Sequence, residues 1–279
     1  MRLGAIHLVF VRLSCENEKG INDRPLDRPT RSRLEDMSGG NLMNALARRM
    51  RQTAGKPLET EIAGTLALLD PSGVLVLPSE SLLVVSDLHL EKGAAFARRG
   101  MMLPPYDTAA TLALLARALS RHPVRRVVCL GDSFHDRRGA EAMPTVFRDA
   151  LVDLMVGHDW VWVSGNHDPE PPKGLGGETV ETLSVGGLAL RHEPTAGACP
   201  GEIAGHLHPV ARIRGAVSQG RHACFASDGT RMILPSFGIT TGGLNVLDRA
   251  FSGLFETRAA KAFVAGTARI YPIPFSALG

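Results

Sequence analysis

The chain has 279 residues, 44% hydrophobic and 21% charged, with a formal net charge of +3. That length and apolar share suffice for one large domain or two small ones and exclude a mostly disordered chain. The mild positive charge permits an anionic partner without demanding one.

Cys15, Cys129, Cys199 and Cys224 show no C-x-x-C spacing. A disulfide scaffold, a zinc ribbon and thioredoxin-like chemistry are set aside on that ground, and reduced thiols in a cytoplasmic protein are the simplest reading. No apolar run is long enough to cross a bilayer, so no membrane partner is expected. The opening MRLGAIHLVFVRLSCENEKG resembles a secretion signal only faintly, because His7 and Arg12 interrupt its apolar part.

Residues 1–57 are charged and punctuated by glycine and proline, and are expected to form an N-terminal extension, disordered or loosely attached. Within them NLMNALARRMRQ offers a short basic helix outside the core. A natural start at Met37 or Met43 is an alternative reading of the same stretch. Residues 58–279 are expected to form the ordered domain.

TEIAGTLALLD and VLVLP read as two strands joined by a Pro-Ser-Gly turn. SLLVVSD (81–87) is a buried strand. In the next helix Asp107 stands at the N-cap position and apolar residues recur at helical spacing through Leu119. RRVVCLGD (125–132) is a second buried strand. A helix follows with a stripe of Val146, Phe147, Ala150, Leu151, Leu154 and Met155, ending at Gly157. WVWVSGN (160–166) is a third buried strand. This alternation predicts an α/β domain with a largely parallel central sheet. Beyond about residue 178 short β-like runs take over: GLALRHEP, ARIRGAV, HACFASD, RMILPSF and GLNVLD.

The three buried strands end in polar residues: Asp87 and His89; Asp132, His135 and Asp136; Asn166, His167 and Asp168. Carboxyl ends of strands are where open α/β sheets bind ligands. One such Asp is more often a turn or cap residue, but three in succession favour a site. The second half adds His192, then His206 and His208 in GEIAGHLHPVARI. If that segment is extended, His206 and His208 point to the same side and converge on one point. Two carboxylates, four imidazoles and one amide exceed one tetrahedral site and suit two ions sharing a carboxylate. Oxygen and nitrogen donors favour manganese, iron or zinc.

The ordered set DLH (87–89), GD (131–132), GNHD (165–168), His192 and GHLH (205–208) resembles the calcineurin-like metallophosphoesterase superfamily. SDLHLEKGAAFARRG, LGDSFHD, LPSFGITTGGLNV and ARIYPIPF are similar to its ligase-associated DNA-damage-response subgroup. The resemblance covers residues from about 60 to the end. It implies two mixed β-sheets flanked by helices with the metals at one edge. It assigns Asp87, His89, Asp132 and His208 to one ion and Asp132, Asn166, His192 and His206 to the other. It further implies a manganese-dependent phosphodiesterase or endonuclease acting on DNA, functionally linked to a DNA ligase, a helicase and an exonuclease. A small-molecule phosphatase or cyclic-nucleotide phosphodiesterase has the same metals and fold, and a non-catalytic scaffold is a more distant alternative.

His167 is the candidate for contacting phosphate and protonating the leaving group, with Asp168 orienting its imidazole. His135 is a further candidate phosphate ligand or acid, and Asp136 is read as structural. Arg98, Arg99, Arg137, Arg138, Arg212 and Arg214 flank the ligand segments and form either a basic rim for a DNA backbone or a solvated face. Arg121, Arg125 and Arg126 fall at the opposite end. His7, His122, His158 and His222 read as surface or turn residues. FGITTGGLNV either approaches the site through its glycines or is simply a tight turn.

Overall fold

A computed structural model describes residues 47, 49–52, 54–98, 100, 106–214 and 220–279. The first sheet is mixed. Strands β1 (Leu58–Ile62), β2 (Thr65–Leu69), β3 (Leu75–Leu77) and β4 (Leu82–Val85) pair antiparallel in sequence order. From β4 the sheet continues in parallel through β5 (Arg126–Leu130), β6 (Asp159–Val163) and β7 (Glu178–Val180). The stretch expected as two strands is thus three. Ala63 and Gly64, both at positive φ, supply a second tight turn within it.

Helices α1 (Lys92–Arg98), α2 (Asp107–Arg121), α3 (Gly139–Ala142) and α4 (Thr145–Met155) follow β4 and β5. Asp107 is the first helical residue rather than the cap, and its carboxylate accepts the Gly93 N–H. On α4 the buried residues are Phe147 and Leu151, while Val146, expected in the stripe, is exposed.

The second sheet has a central path β14 (Leu244–Asn245), β11 (Pro209–Ile213), β12 (Gly220–Ser227), β13 (Met232–Ile233), β10 (Glu202–Ala204), β9 (Leu188–Arg191) and β8 (Thr182–Val185). Strands β15 (Lys261–Ala265) and β16 (Ile270–Pro274) extend it from β12. It too is mixed: β9, β10 and β13 run parallel, whereas β11, β12 and β15 run antiparallel.

Apart from their first residues Arg126 and Asp159, strands β4, β5 and β6 are apolar because both of their faces are covered. Leu83, Val85, Val127, Cys129, Trp160 and Trp162 meet the helices. Leu82, Val84, Val128, Leu130, Val161 and Val163 meet the second sheet. The expected α/β class with two mixed sheets flanked by helices is the observed architecture.

The described part of residues 1–57 is docked, not outside the core. Met50 packs on the helix-side core. Arg49 donates to the Ser72 and Phe237 carbonyls, and Gln52 to the Ala265 carbonyl. His7, Met37 and Met43 lie outside the described residues.

Candidate metal centre

The ends of β4 and β5 are stitched together beyond their last strand residues. Asp87 N–H donates to the Gly131 carbonyl, His89 N–H to Asp132 and Leu90 N–H to Ser133, at 3.2, 2.9 and 2.9 Å. This ladder carries Asp87 and His89 alongside Asp132. Eight described non-glycine residues have positive φ, and five of them are Asp87, His89, Asp132, His206 and His208. Each such conformation costs roughly 1–3 kcal/mol and persists only where the surroundings enforce it. The buried apolar strands behind these loops provide that enforcement, since a fully buried Val or Leu contributes roughly 1.5–3 kcal/mol.

The same backbone corrects one expectation. His206 and His208 are not in an extended strand, and they do not converge on one point. They divide between two groups, Asp87–His89–His208 and Asp132–His192–His206, within each of which the ligand atoms lie within 4.8 Å of one another. In the first, His208 Nε2 stands 3.0 Å from Asp87 Oδ1 and 3.5 Å from His89 Nε2. In the second, His192 Nε2 is 3.4 Å from Asp132 Oδ1 and 3.2 Å from His206 Nδ1. Asn166 Oδ1 joins this second group, 3.0 Å from both His192 Nε2 and His206 Nδ1. All seven expected ligands are therefore brought together.

Carbonyls behind the imidazoles set their tautomers. His192 Nδ1 faces the Leu130 carbonyl and His208 Nδ1 the Gly242 carbonyl, at 3.1 Å each. Each Nδ1 is therefore the donor, so that the neutral ring presents its Nε2 lone pair to the site. Ser86 Oγ and the His206 N–H both donate to Asp87 Oδ2. Asp87 Oδ1 is buried without a hydrogen bond.

Burial opposes ionisation of Asp132. The His192 hydrogen bond and charge, with the His167 N–H, nevertheless hold it down at about 2. Asp87 is likewise desolvated, yet His208 and His192 keep it below the usual carboxylate range. Burial pushes His89 down to about 3 and lowers His206, favouring the neutral, ligating imidazole. His192 is the exception: burial lowers it, but Asp132 and Asp87 outweigh that and raise it to about 9. In the metal-free protein the proton on His192 offsets part of the carboxylate charge; once it is displaced, ring nitrogens and oxygens 3.0–3.5 Å apart turn their lone pairs on a common space. Such gaps suit donors about 2.0–2.2 Å from one ion, so the donor set fits divalent metal.

Glycines set the close approach. A side chain on Gly131 (φ +74°) would overlap the His192 ring, and one on Gly165 would overlap Asp132.

The family model for calcineurin-like phosphoesterases matches residues 81–215, a span holding all seven of these side chains. The chain is also similar to the Pseudomonas putida nuclease MPE. That crystal structure matches with a TM-score of 0.62 at 30% identity, over 78% of this chain and 100% of that one. The chain is a calcineurin-like phosphoesterase. It belongs to a family of divalent-metal-dependent phosphoester hydrolases. No curated protein matches the sequence.

In this phosphoesterase His167 and His135 border the ligand cluster. His167 Nδ1 faces the His135 carbonyl at 2.9 Å, and its Nε2 is 3.9 Å from Asp132 Oδ2. The two rings stack at 5.3 Å, and both lie about 5.5 Å from the His89 ring (5.4 and 5.6 Å). Asp168 does not orient His167, contrary to the expectation. It is desolvated and turned toward the loop after Asp132, where its Oδ2 accepts the Phe134 N–H at 3.0 Å. Burial raises it to about 7.

Arg98 is engaged by Asp136 at 2.6 Å, so the expected structural role of Asp136 comes at the expense of Arg98 as a free phosphate ligand. Arg99 lies outside the described residues. Arg121 and Arg125 pair with Asp70 and Asp159. His122, read as a surface residue, is buried against Asp70 at 2.8 Å. The FGITTGGLNV segment does approach the site. Gly238 N–H donates to the Asp87 carbonyl, and Gly242 holds His208. Its paired glycines were the available signal. Ser86 was missed because a serine before an aspartate carries no pattern. No helix among the described residues is long and apolar enough to cross a membrane.

Proposed function

We propose that this phosphoesterase is a dinuclear metal-dependent phosphodiesterase that cleaves DNA in the course of DNA repair. The observation that carries the dinuclear reading is the Asp132 carboxylate: Oδ1 faces His192 at 3.4 Å, and Oδ2 faces His89 at 3.9 Å. One side chain thereby reaches both ligand groups. Asp87, His89, Asp132 and His208 would hold one cation, and Asp132, Asn166, His192 and His206 the other. Manganese suits these donors, as do iron and zinc. When bound, a cation pair supplies charge neutralisation at the phosphate and lowers the pKa of an attacking water.

The chain's own contribution is positioning and proton transfer. His167 is anchored through Nδ1–H to the His135 carbonyl, which directs Nε2 inward. Its side chain is 41% exposed, so substrate can reach it. Doubly protonated, it delivers the Nε2 proton to the leaving oxygen. His135, stacked on it, offers a phosphate contact. Asp168 acts as a positioning residue for the Asp132–Phe134 loop.

The DNA substrate is supported by the similarity to a protein named as a nuclease. The repair role, and the link to a ligase, a helicase and an exonuclease, rest on the sequence resemblance. The test compares bis-aryl phosphate, mono-aryl phosphate, cyclic nucleotides, and plasmid and single-stranded DNA, with the metal varied. Turnover of the diester and of DNA is expected. Selective turnover of the monoester would replace this reading with a small-molecule phosphatase.

A further inference from the structure

Strand β11 begins at Pro209, immediately after the ligand His208. In its antiparallel pairing with β12, Arg212 stands directly opposite Arg221. Direct partners share one face with Cβ atoms about 5 Å apart, and like charges there are destabilising. Among the described residues no carboxylate pairs with either guanidinium, whereas Arg98, Arg121, Arg125, Arg191 and Arg231 all have one. Arg221 also lines a cavity of about 460 Å³ that opens beside His208. Arg49 and His222 line it too, and no aspartate or glutamate does. The buried Thr241 Oγ1 on its wall makes no hydrogen bond. Among the described residues the hollow is lined by cationic and donor groups and by no carboxylate. Its size is that of a small-ligand site.

Arg212 lies four residues beyond His208, about 13 Å along the strand at about 3.3 Å per residue. A group being cleaved at the metals does not span that distance, but a polymer does. We infer that the cavity beside His208 and the Arg212–Arg221 pair bind the DNA strand next to the scissile phosphate, the two guanidiniums holding a neighbouring phosphate bidentately. This rests on the nuclease reading above. It deepens that reading by making the enzyme prefer a chain over an isolated diester.

The test measures kcat/KM of the full chain with Mn²⁺ on bis-aryl phosphate and on oligodeoxynucleotides of two to twelve residues. The double variant R212Q/R221Q is run beside it. The wild type is expected to gain at least 10-fold from the dinucleotide to the longer strands. The double variant should lose that gain, and its salt slope on single-stranded oligonucleotides should shrink by about 0.7, the share of one neutralised phosphate. R212Q alone should not lower the Tm, because it only relieves a like-charge pair, whereas the double variant also loses the hydrogen bond from Arg221 to the Gly243 carbonyl. Should the double variant be poorly folded, the exposed substitution R212Q alone carries the same comparison. A length gain equal in both proteins would overturn the inference and leave the nuclease reading intact. Aryl diester turnover without cleavage of any oligonucleotide would overturn the nuclease reading itself, and this inference with it.

Discussion

Asp132 reaches His192 with one carboxylate oxygen and His89 with the other, at 3.4 and 3.9 Å, although the three residues come from three different strand ends. Asp132→Asn keeps the shape but removes the charge. Turnover should fall at least 1,000-fold, with metal content dropping below two equivalents by elemental analysis. A variant with full activity would remove the bridging role.

His167 touches the site without belonging to either ligand group. His167→Ala should lower kcat roughly 100-fold or more, within the range for a lost general acid. Metal content should stay at the wild-type value. Loss of metal in this variant would make His167 a structural support and leave the proton donor unassigned.

Gly165 leaves no room for a side chain against Asp132. Gly165→Ala should therefore displace the carboxylate, reducing both activity and metal content while expression persists. Unaltered activity would mean that the loop yields at little cost.

His192 gives the metal-free protein a pH signature. Its folded-state pKa, about 9, lies above the ordinary value of about 6.5. Its stabilising contribution is complete below about 6.5 and is lost as the pH rises through 9. The Tm of chelator-treated protein should fall by about 5 °C across that window, other groups being equal. The rise in Tm on adding Mn²⁺ should grow over the same window, because fewer protons are displaced. A flat profile would contradict the protonated His192.

Arg231 and Glu202 are both fully buried and paired at 2.9 Å. Arg231 also donates to the Thr195, Gly197 and Leu254 carbonyls, closing the loop that follows His192. Arg231→Met leaves buried Glu202 with only Arg191 at 3.5 Å and the Thr195 N–H, and should cost up to about 3 kcal/mol in urea unfolding. Replacing both residues by apolar ones should recover part of that loss.

Much of this was legible before folding. Strands β4, β5 and β6 stood out because burial on both faces leaves an unbroken apolar run, and the polar residues at their ends marked the candidate ligands. The order of the seven ligands along the chain carried the family. Less visible were features that depend on contacts between distant segments. His122 looked like a surface residue because nothing local announces Asp70, 52 positions away. The Arg231–Glu202 pair lacks any periodic signature. Asp168 sat next to His167 in sequence, yet its carboxylate turned to Phe134.

The sequence by itself singled out the candidate ligands and the strands that present them, because burial and donor chemistry are properties of short segments. Only the tertiary structure decided how the ligands are shared. His206 and His208 separate because their backbones are left-handed rather than extended. Asp132 lies between the groups because β5 is paired between β4 and β6. Strand order and local φ are settled by packing between sheets and helices, and that packing is a property of the whole chain.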